Sequence, residues 1–224
     1  MKVLLFGATG MIGQGVLREC LLDPAVEQVV TVGRRAGSAR HEKLGQLVVP
    51  DLHDLSGHAS ELTGFDACFF CLGVSSAGMS EAEYRRVTKD LTLAVAGLLA
   101  RLNPAMTFVY VSGAGTDSTE RGRTMWARVK GETENALLRL PFAAAFMFRP
   151  GYIQPLHGIT SRTRLYRAAY AVASPLFPLL DRLVPDHVTT TERVGRAMLV
   201  VARRGAPAKV LETRDLNALA GGGT

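Results

Sequence analysis

The chain has 224 residues, of which 47% are hydrophobic and 21% are charged. These values exclude an intrinsically disordered or fibrous chain and predict a single globular domain over residues 1–224. The formal net charge is +6, but the basic residues are scattered and no aromatic residues are interleaved with them. We therefore expect no nucleic-acid partner.

The cysteines indicate a compartment and argue against two kinds of site. There are three, Cys20, Cys68 and Cys71, too few for a disulfide scaffold, and no signal peptide precedes the first predicted strand, so we expect a cytoplasmic protein. Cys68 and Cys71 form a C-x-x-C pattern, but residues three apart on a strand point to opposite faces, which favours core cysteines over a redox or zinc pair. His53 and His58 have no partners at metal-ligand spacing, so no metal is expected.

The first predicted strand runs into a glycine-rich turn. Lys2–Phe6 is apolar after its lysine, as in a buried parallel strand, and an amphipathic helical pattern follows the turn. The glycines between them are spaced as G-x-x-G-x-x-G rather than the usual G-x-G-x-x-G. A strand, turn and helix of this kind bind a dinucleotide pyrophosphate at the free amides of the helix. The alternative is a helix-start loop rich in small residues. The predicted cofactor contacts are Gly7, Thr9, Gly10, Met11, Ile12 and Gly13.

The second predicted strand bears on which nicotinamide cofactor binds. Gln28–Val32 leads into Gly33, Arg34 and Arg35 at the same edge of the sheet as the glycines. An NAD site has a carboxylate here for the ribose 2′-hydroxyl, whereas an NADP site has an arginine for the 2′-phosphate. Two arginines and no acid stand here, so NADP is favoured over NAD. The alternative is a solvated turn with charged residues.

Two further strands are predicted to end near the same ligand. They cover residues 46–50 and 65–72. Ligands of doubly wound sheets lie beyond the carboxyl ends of the strands. The residues that we expect to reach the adenine and ribose are Asp51, Leu52, Leu72, Gly73 and Val74.

The alternation of strands and helices continues to residue 151. A helix over 80–101, opened by a capping box, is followed by strands over 107–111 and 143–148. Between these strands a helix carries Trp126 and Lys130 one turn apart on one face. Such alternation predicts an α/β fold with a Rossmann-type doubly wound parallel sheet.

The alternation weakens after residue 151. We assign 152–190 to a small substrate-side lobe within the domain, followed by a helix over 192–203, a strand over 209–211 and a frayed tail over 217–224. The apolar run Ala168–Leu180 is too short and too interrupted by proline to span a bilayer. It is interpreted as a substrate-side flap or a homodimer interface, with a membrane-surface helix as the alternative.

Short runs along the chain carry a family resemblance. They are GATGMIG at 7–13, DL at 51–52, CLG at 71–73, VYVS at 109–112, VKGE at 129–132 and RPG at 149–151. Together they resemble the short-chain dehydrogenase/reductase superfamily, in its atypical and extended branch. Within it, the chain looks most like the Tat-interacting-protein type of NAD(P)H-binding proteins and bacterial NAD-dependent epimerase/dehydratase-like proteins.

The resemblance implies catalytic roles. In this superfamily a lysine holds the nicotinamide ribose, a tyrosine four residues earlier gives a proton to the substrate carbonyl, and a serine after the fifth strand orients the substrate. Lys130 matches the lysine, but Trp126 occupies the tyrosine position. The register that we prefer puts Gly113 at the serine position, with Ser112 just before it. The implied catalytic set is Lys130, Ser112 and Trp126, and the implied cofactor contacts include Lys130 and Pro150.

The tryptophan changes the chemistry that the resemblance implies. An indole N–H donates a hydrogen bond but does not titrate near neutral pH, so Trp126 cannot act as a general acid. Its ring is suited to stack beside the nicotinamide or a flat substrate. The proton then has to come from water or another side chain, of which Tyr152 is nearest by sequence position.

Three functions follow from these residues. The first is NADP-dependent hydride transfer to a small carbonyl or quinone substrate with a non-standard proton donor. The second is a non-catalytic NADPH-binding sensor or scaffold, in which the bound cofactor orders a surface for a protein partner. The third is nucleotide-sugar epimerase or dehydratase action, which needs the missing tyrosine.

Overall fold

A parallel sheet forms the centre of the computed structural model, which describes residues 1–160 and 177–222. The strands of these residues are β1 (Lys2–Phe6), β2 (Gln28–Gly33), β3 (Leu44–Val48), β4 (Ala67–Phe70), β5 (Thr107–Val111), β6 (Ala144–Arg149), β7 (Tyr152–Gln154), β8 (Val188–Thr190) and β9 (Val210–Glu212). Within the described residues, seven of them pair in the order β3-β2-β1-β4-β5-β6-β9, and every pair is parallel. The order reverses between β1 and β4, which is where sheets of this kind bind ligands. The Rossmann-type doubly wound α/β fold is confirmed.

Helices cover both faces of the sheet. In the described residues they are α1 (Met11–Leu22), α2 (Glu81–Arg85), α3 (Leu91–Leu102), α4 (Met125–Leu137), α5 (Phe177–Leu183), α6 (Thr191–Arg204) and α7 (Thr213–Gly221). Alternate residues of β1 point to opposite faces. Val3 and Leu5 pack in a core with α1 and α6, whereas Leu4 and Phe6 pack in a core with α3 and α4. A strand buried on both faces has to be apolar throughout, which accounts for the uninterrupted run in β1.

The long helix predicted over 80–101 is present but is not uniformly α-helical. It opens with a capping box in which the Ser80 hydroxyl accepts from the N–H of Glu83 and the Glu83 carboxylate accepts from the N–H of Ser80. A π-helical turn over Arg86–Asp90 separates α2 from α3. Turns of this type are often found near functional sites. The capping box lies before this turn, and the apolar spacing of the sequence gives no sign of it.

The chain after residue 151 differs most from expectation. β7 and β8 pair in parallel as a separate two-stranded sheet that the sequence pattern does not predict. Residues 217–221, predicted as part of a frayed tail, belong to α7 instead. Most of the apolar run Ala168–Leu180 lies outside the described residues. Among the helices of residues 1–160 and 177–222, none is both long and apolar enough to cross a bilayer.

Candidate functional site

The glycine loop between β1 and α1 is shaped by close backbone contacts. Gly7 has a φ of +81°, and a Cβ built there would lie 2.7 Å from the carbonyl carbon of Cys71. A Cβ built at Gly13 would lie 2.1 Å from the carbonyl oxygen of Gly7. Real side chains do not tolerate such contacts, so this turn requires glycine at both positions.

Gly10 is suited to its position for another reason. A Cβ built there would meet only the carbonyl oxygen of Gly7, at 3.3 Å. The helix α1 begins at the next residue, no side chain caps it, and its first turn contains no acid. The amides of Met11 and Ile12 are thus left uncapped for an anion that approaches over Gly10. This cradle fits the pyrophosphate of a dinucleotide.

A cleft of about 1350 Å³ opens in front of this turn. Arg18, Arg34 and Arg35 are among its walls, and within the described residues no Asp or Glu lines it. Its volume and the sign of its charge suit an anionic nucleotide. The predicted cofactor contacts that line this cleft are Gly7, Thr9, Arg34, Arg35, Leu52 and Leu72. The remaining ones, which lie outside its walls, are Gly10, Met11, Ile12, Gly13, Asp51, Gly73, Val74, Lys130 and Pro150.

Arg34 and Arg35 follow β2 at the surface of the cleft. Both are exposed, and neither has a hydrogen-bond or ion-pair partner among residues 1–160 and 177–222. The loop is instead held in shape by Arg40, whose Nη1 donates to the carbonyl oxygens of Gly37 at 3.0 Å and Ala39 at 2.8 Å. The two arginines are therefore available to a ligand.

The residues after β3 and β4 divide into cleft walls and surface. Leu52 is buried and lines the cleft. Asp51 is exposed, and its Oδ1 accepts a hydrogen bond from the N–H of His53 at 2.9 Å. Gly73 and Val74 are also exposed. Asp51 thus shapes a turn.

A second group of predicted residues meets beyond the carboxyl ends of β5 and β6. Lys130 extends from α4, and its Nζ donates a hydrogen bond to the carbonyl oxygen of Ser112. A Cβ built at Gly113 would lie 3.8 Å from this Nζ and 3.9 Å from the carbonyl oxygen of Pro150. The structure therefore brings Lys130, Ser112 and Pro150 together around the space that Gly113 leaves open.

The surroundings of Lys130 alter its charge state. Desolvation by burial lowers the pKa of its ammonium group to about 8, although the carboxylate of Glu134 acts in the opposite direction. Lys130 consequently carries its proton at pH 7 but can lose it within the physiological range.

The hydroxyl of Ser112 is directed into the protein core. It is buried, donates to Oε1 of Glu134 and lies 3.1 Å from the carbonyl oxygen of Phe148. Thus Ser112 contacts Lys130 through its carbonyl group and not through its hydroxyl. The open side of Gly113, rather than the hydroxyl of Ser112, faces the lysine.

Trp126 lies one helical turn before Lys130, as predicted. A Cβ built at Gly115 would lie 3.5 Å from Cη2 of the indole, so the ring lies over the backbone of Gly115. The indole N–H has no hydrogen-bond acceptor in the part of the chain that the structure describes. Since Gly115 has a φ of +83°, a side chain at this position would be strained as well as crowded by the ring.

A buried ion pair ties these elements together. Glu134 is 1% exposed, and both of its oxygens accept hydrogen bonds from the guanidinium of Arg149 at the end of β6. The same guanidinium donates to the Ser118 hydroxyl and reaches Oε1 of Glu212 at 3.3 Å. The end of β5, through Ser112, and the end of β6 are therefore both fastened to α4 by one carboxylate.

Comparisons with known proteins identify relatives of this chain. The fmp52 mitochondrial protein of Emericella nidulans is 33% identical over 159 residues, which is 68% of this chain and 66% of that protein, just under two thirds. The HTATIP2 protein of Rattus norvegicus is 29% identical over 68% of this chain and 62% of its own length. The fmp52-2 protein of Aspergillus oryzae is 28% identical over 95% of this chain and 93% of its own length. No protein-family model matches the chain.

The chain is a homologue of the fmp52 and HTATIP2 proteins, which agrees with its resemblance to the short-chain dehydrogenase/reductase superfamily.

Solved structures agree with this fold at low sequence identity. The Bordetella bronchiseptica enzyme WbmF in complex with NAD+ has a TM-score of 0.68 and 14% identity, and the match covers 100% of this chain and 79% of that enzyme. A UDP-glucose 4-epimerase has a TM-score of 0.68 and 16% identity, covering 97% of this chain and 80% of its own. At such identities the likeness concerns the fold of the superfamily and leaves the reaction open.

The comparisons correct the expected location. A cytoplasmic protein was predicted from the cysteine content, but the fmp52 relatives are named as mitochondrial proteins, and the prediction is wrong. The physical reason is that a chain with few cysteines is compatible with any reducing compartment. Cysteine content carries no information about which of these compartments the protein enters.

The residues that line the cleft but were not predicted from the sequence include Arg18 and His157. Arg18 lies on α1, and His157 lies in the loop after β7 with a φ of +57° and its Nε2 2.6 Å from Oε2 of Glu192. Arg18 could have been found as the basic residue one turn beyond the glycine motif. His157 reaches the cleft only through tertiary folding, and no local pattern marks it.

Proposed function

We propose that the protein is an NADP(H)-dependent oxidoreductase that transfers hydride between NADPH and a small carbonyl or quinone substrate. The observation that carries the choice of cofactor is the pair of unpartnered arginines, Arg34 and Arg35, on the wall of a cleft that no Asp or Glu of the described residues lines. Guanidinium groups at this position suit a 2′-phosphate, whereas a carboxylate would suit a free 2′-hydroxyl. The homology to the fmp52 and HTATIP2 proteins and the resemblance to the dehydrogenase/reductase superfamily support the reaction class.

Different residues of the chain would bind different groups of the cofactor. The amides of Met11 and Ile12 would bind the pyrophosphate, and Arg34 and Arg35 the 2′-phosphate. Lys130 would hold the nicotinamide ribose from the far side of the site. The cofactor supplies the hydride, and the protein supplies binding, orientation and the proton.

The choice of cofactor gives the first prediction. NADPH should bind more tightly than NADH by about 1–3 kcal/mol, the range of hydrogen bonds to charged groups. Arg34→Ala or Arg35→Ala should reduce this difference by weakening NADPH binding alone, as titration calorimetry would measure. Arg101→Ala is the matched control, because Arg101 is an exposed arginine on α3 that does not line the cleft. Equal affinities of the wild-type protein for the two cofactors would refute the assignment.

Turnover is the second prediction. The wild-type protein should oxidise NADPH, followed at 340 nm, in the presence of at least one member of a panel of aldehydes, ketones and quinones. Gly113 leaves room for about one carbon atom beside Lys130, where a built Cβ would lie 3.8 Å from Nζ and 3.9 Å from the carbonyl oxygen of Pro150, so we expect small acceptors to react faster than bulky ones. Tight NADPH binding without oxidation by any member of the panel would contradict an oxidoreductase.

A second candidate function is a non-catalytic NADPH-binding sensor or scaffold. The observation that favours it is Trp126, since this residue stands one turn before Lys130, where a reductase of this superfamily has its tyrosine, and cannot deliver a proton. A sensor or scaffold would bind NADPH in the same cleft as a reductase but would not turn it over. The NADPH-oxidation assay therefore separates the two functions. Epimerase or dehydratase action stays a prediction without an observation in its favour.

A further inference from the structure

A reductase built on this chain needs a source for one proton. When hydride reaches a carbonyl carbon, the pair of electrons of the C=O π bond moves to oxygen, which then takes up a proton. The hydroxyl groups of β5 and the loop after it are directed elsewhere. Ser112 donates to Glu134, and Thr116 donates to the carbonyl oxygen of Gly113 at 2.7 Å. Tyr110 is fully buried in the core.

We propose that Lys130 is itself the general acid of this site and donates the proton to the substrate oxygen in the space that Gly113 leaves open. This inference rests on the proposed reductase function. Lys130 thereby takes the place of the tyrosine that Trp126 replaces, in addition to its contact with the cofactor ribose.

The geometry around Nζ supports this role. One N–H of the ammonium group is used by the carbonyl oxygen of Ser112, which fixes the end of a flexible side chain. A Cβ built at Gly113 would lie 3.8 Å from Nζ, so any residue other than glycine would fill the space beside the ammonium group. A carbonyl oxygen placed in that volume comes within reach of the remaining N–H groups. The Gly113 φ of +144° disfavours a side chain there as well.

The electrostatic surroundings make the transfer feasible near neutral pH. Burial lowers the pKa of Lys130 to about 8, which brings it close to a working pH. The charged group that faces it on α4 is Glu134, and from β6 Arg149 pairs with that carboxylate. The loop after β5 presents only backbone groups of Ser112 and Gly113. Glu134 therefore raises the pKa of Lys130 only in part, and desolvation dominates.

The balanced reaction is short. The bound cofactor would supply hydride for the carbonyl carbon, and the substrate oxygen would gain a proton from the Lys130 ammonium group, which becomes a neutral amine. A proton from water then restores the ammonium group. The sum is carbonyl plus NADPH plus one proton, giving alcohol plus NADP+.

Lys130→Arg tests this role, because arginine keeps the positive charge and the donor to Ser112 but has a pKa above about 12 and does not release a proton at neutral pH. We expect the variant to bind NADPH with an affinity within about threefold of wild type. Carbonyl reduction should fall by about 10²–10⁴-fold, the usual contribution of a positioned general acid. Lys209→Arg, just before β9, is the matched control and should leave turnover unchanged.

Two readouts do not depend on how well arginine fits. Turnover of the wild-type protein should be level below pH about 8 and fall by about tenfold per pH unit above it. In the protein without cofactor, the lysine Cε signals followed by NMR should include one that titrates near pH 8 and is missing in Lys130→Arg. A Lys130 signal that titrates near its ordinary pKa would overturn the proposal.

The outcomes separate the two levels of the proposal. Wild-type turnover with an unchanged alkaline limb in Lys130→Arg would refute the donor role while the reductase function stands. NADPH binding without turnover of any acceptor by the wild-type protein would refute the reductase function and the donor role with it.

Discussion

Gly10→Val is expected to abolish dinucleotide binding and leave the protein folded. A valine Cβ would meet only the carbonyl oxygen of Gly7, at 3.3 Å, a tight contact that a shift of a few tenths of an ångström relieves. The backbone at this residue has a φ of −79°, which any L-residue adopts. The branched side chain would nevertheless fill the volume above the uncapped amides of α1. Loss of two hydrogen bonds to charged phosphate oxygens amounts to about 3–6 kcal/mol, or a hundredfold or more in affinity.

The same substitution at the next glycine provides the contrast. A Cβ at Gly13 would lie 2.1 Å from the carbonyl oxygen of Gly7 and 2.9 Å from Cα of Ala8. Because these are backbone atoms, the chain has to move, and Gly13→Val should destabilise the fold as well as prevent binding. Circular dichroism melts and NADPH titration of both variants would test the difference. Retention of NADPH binding by a folded Gly10→Val protein would show that the phosphates bind elsewhere.

Much of the fold can be predicted from the sequence because its signals are local. Each of the seven described strands of the main sheet was predicted to within two residues at both ends. The residues of β1 alternate between the two cores, which makes this strand apolar almost throughout. The short strands β7 and β8 escape prediction because three residues carry no periodicity. Their pairing is parallel between distant parts of the chain, which only tertiary structure can specify.

Some features of the candidate site can also be predicted from the sequence, whereas others depend on tertiary structure. The glycine loop, Arg34 and Arg35 sit directly after strands, and chain order alone predicts that they share one edge of the sheet. The orientation of the Ser112 hydroxyl cannot be predicted, since it is determined by Glu134 on another element. The lowered pKa of Lys130 likewise results from burial by the whole fold.

The RPG run at 149–151, which the resemblance associates with the cofactor, has a strong structural role. Arg149 pairs with the buried Glu134, and a Cβ at Gly151 would lie 2.4 Å from the carbonyl oxygen of His187. The carbonyl of Pro150 accepts a hydrogen bond from the N–H of Ala114 at 2.9 Å. These contacts hold the loop after β5 against β6, and so they position the carbonyl group of Ser112 that accepts the hydrogen bond from Lys130.

Arg149→Met should destabilise the protein by about 3–5 kcal/mol, because it leaves the Glu134 carboxylate buried without its charged partner. Chemical denaturation would measure the loss. Glu212→Gln is the matched control: Glu212 also contacts Arg149, at 3.3 Å, but is 51% exposed, and an exposed pair contributes about 0–1 kcal/mol.

Removal of both buried charges in Arg149→Met/Glu134→Leu should recover part of the loss, since no unpaired charge remains and the Ser112 hydroxyl still has the carbonyl oxygen of Phe148 as an acceptor at 3.1 Å. The contrary result is that the double variant loses as much free energy of unfolding as Arg149→Met and Glu134→Leu lose separately, added together. That result would show that the two charges are not coupled, and that α4 is held to β5 and β6 by apolar packing alone.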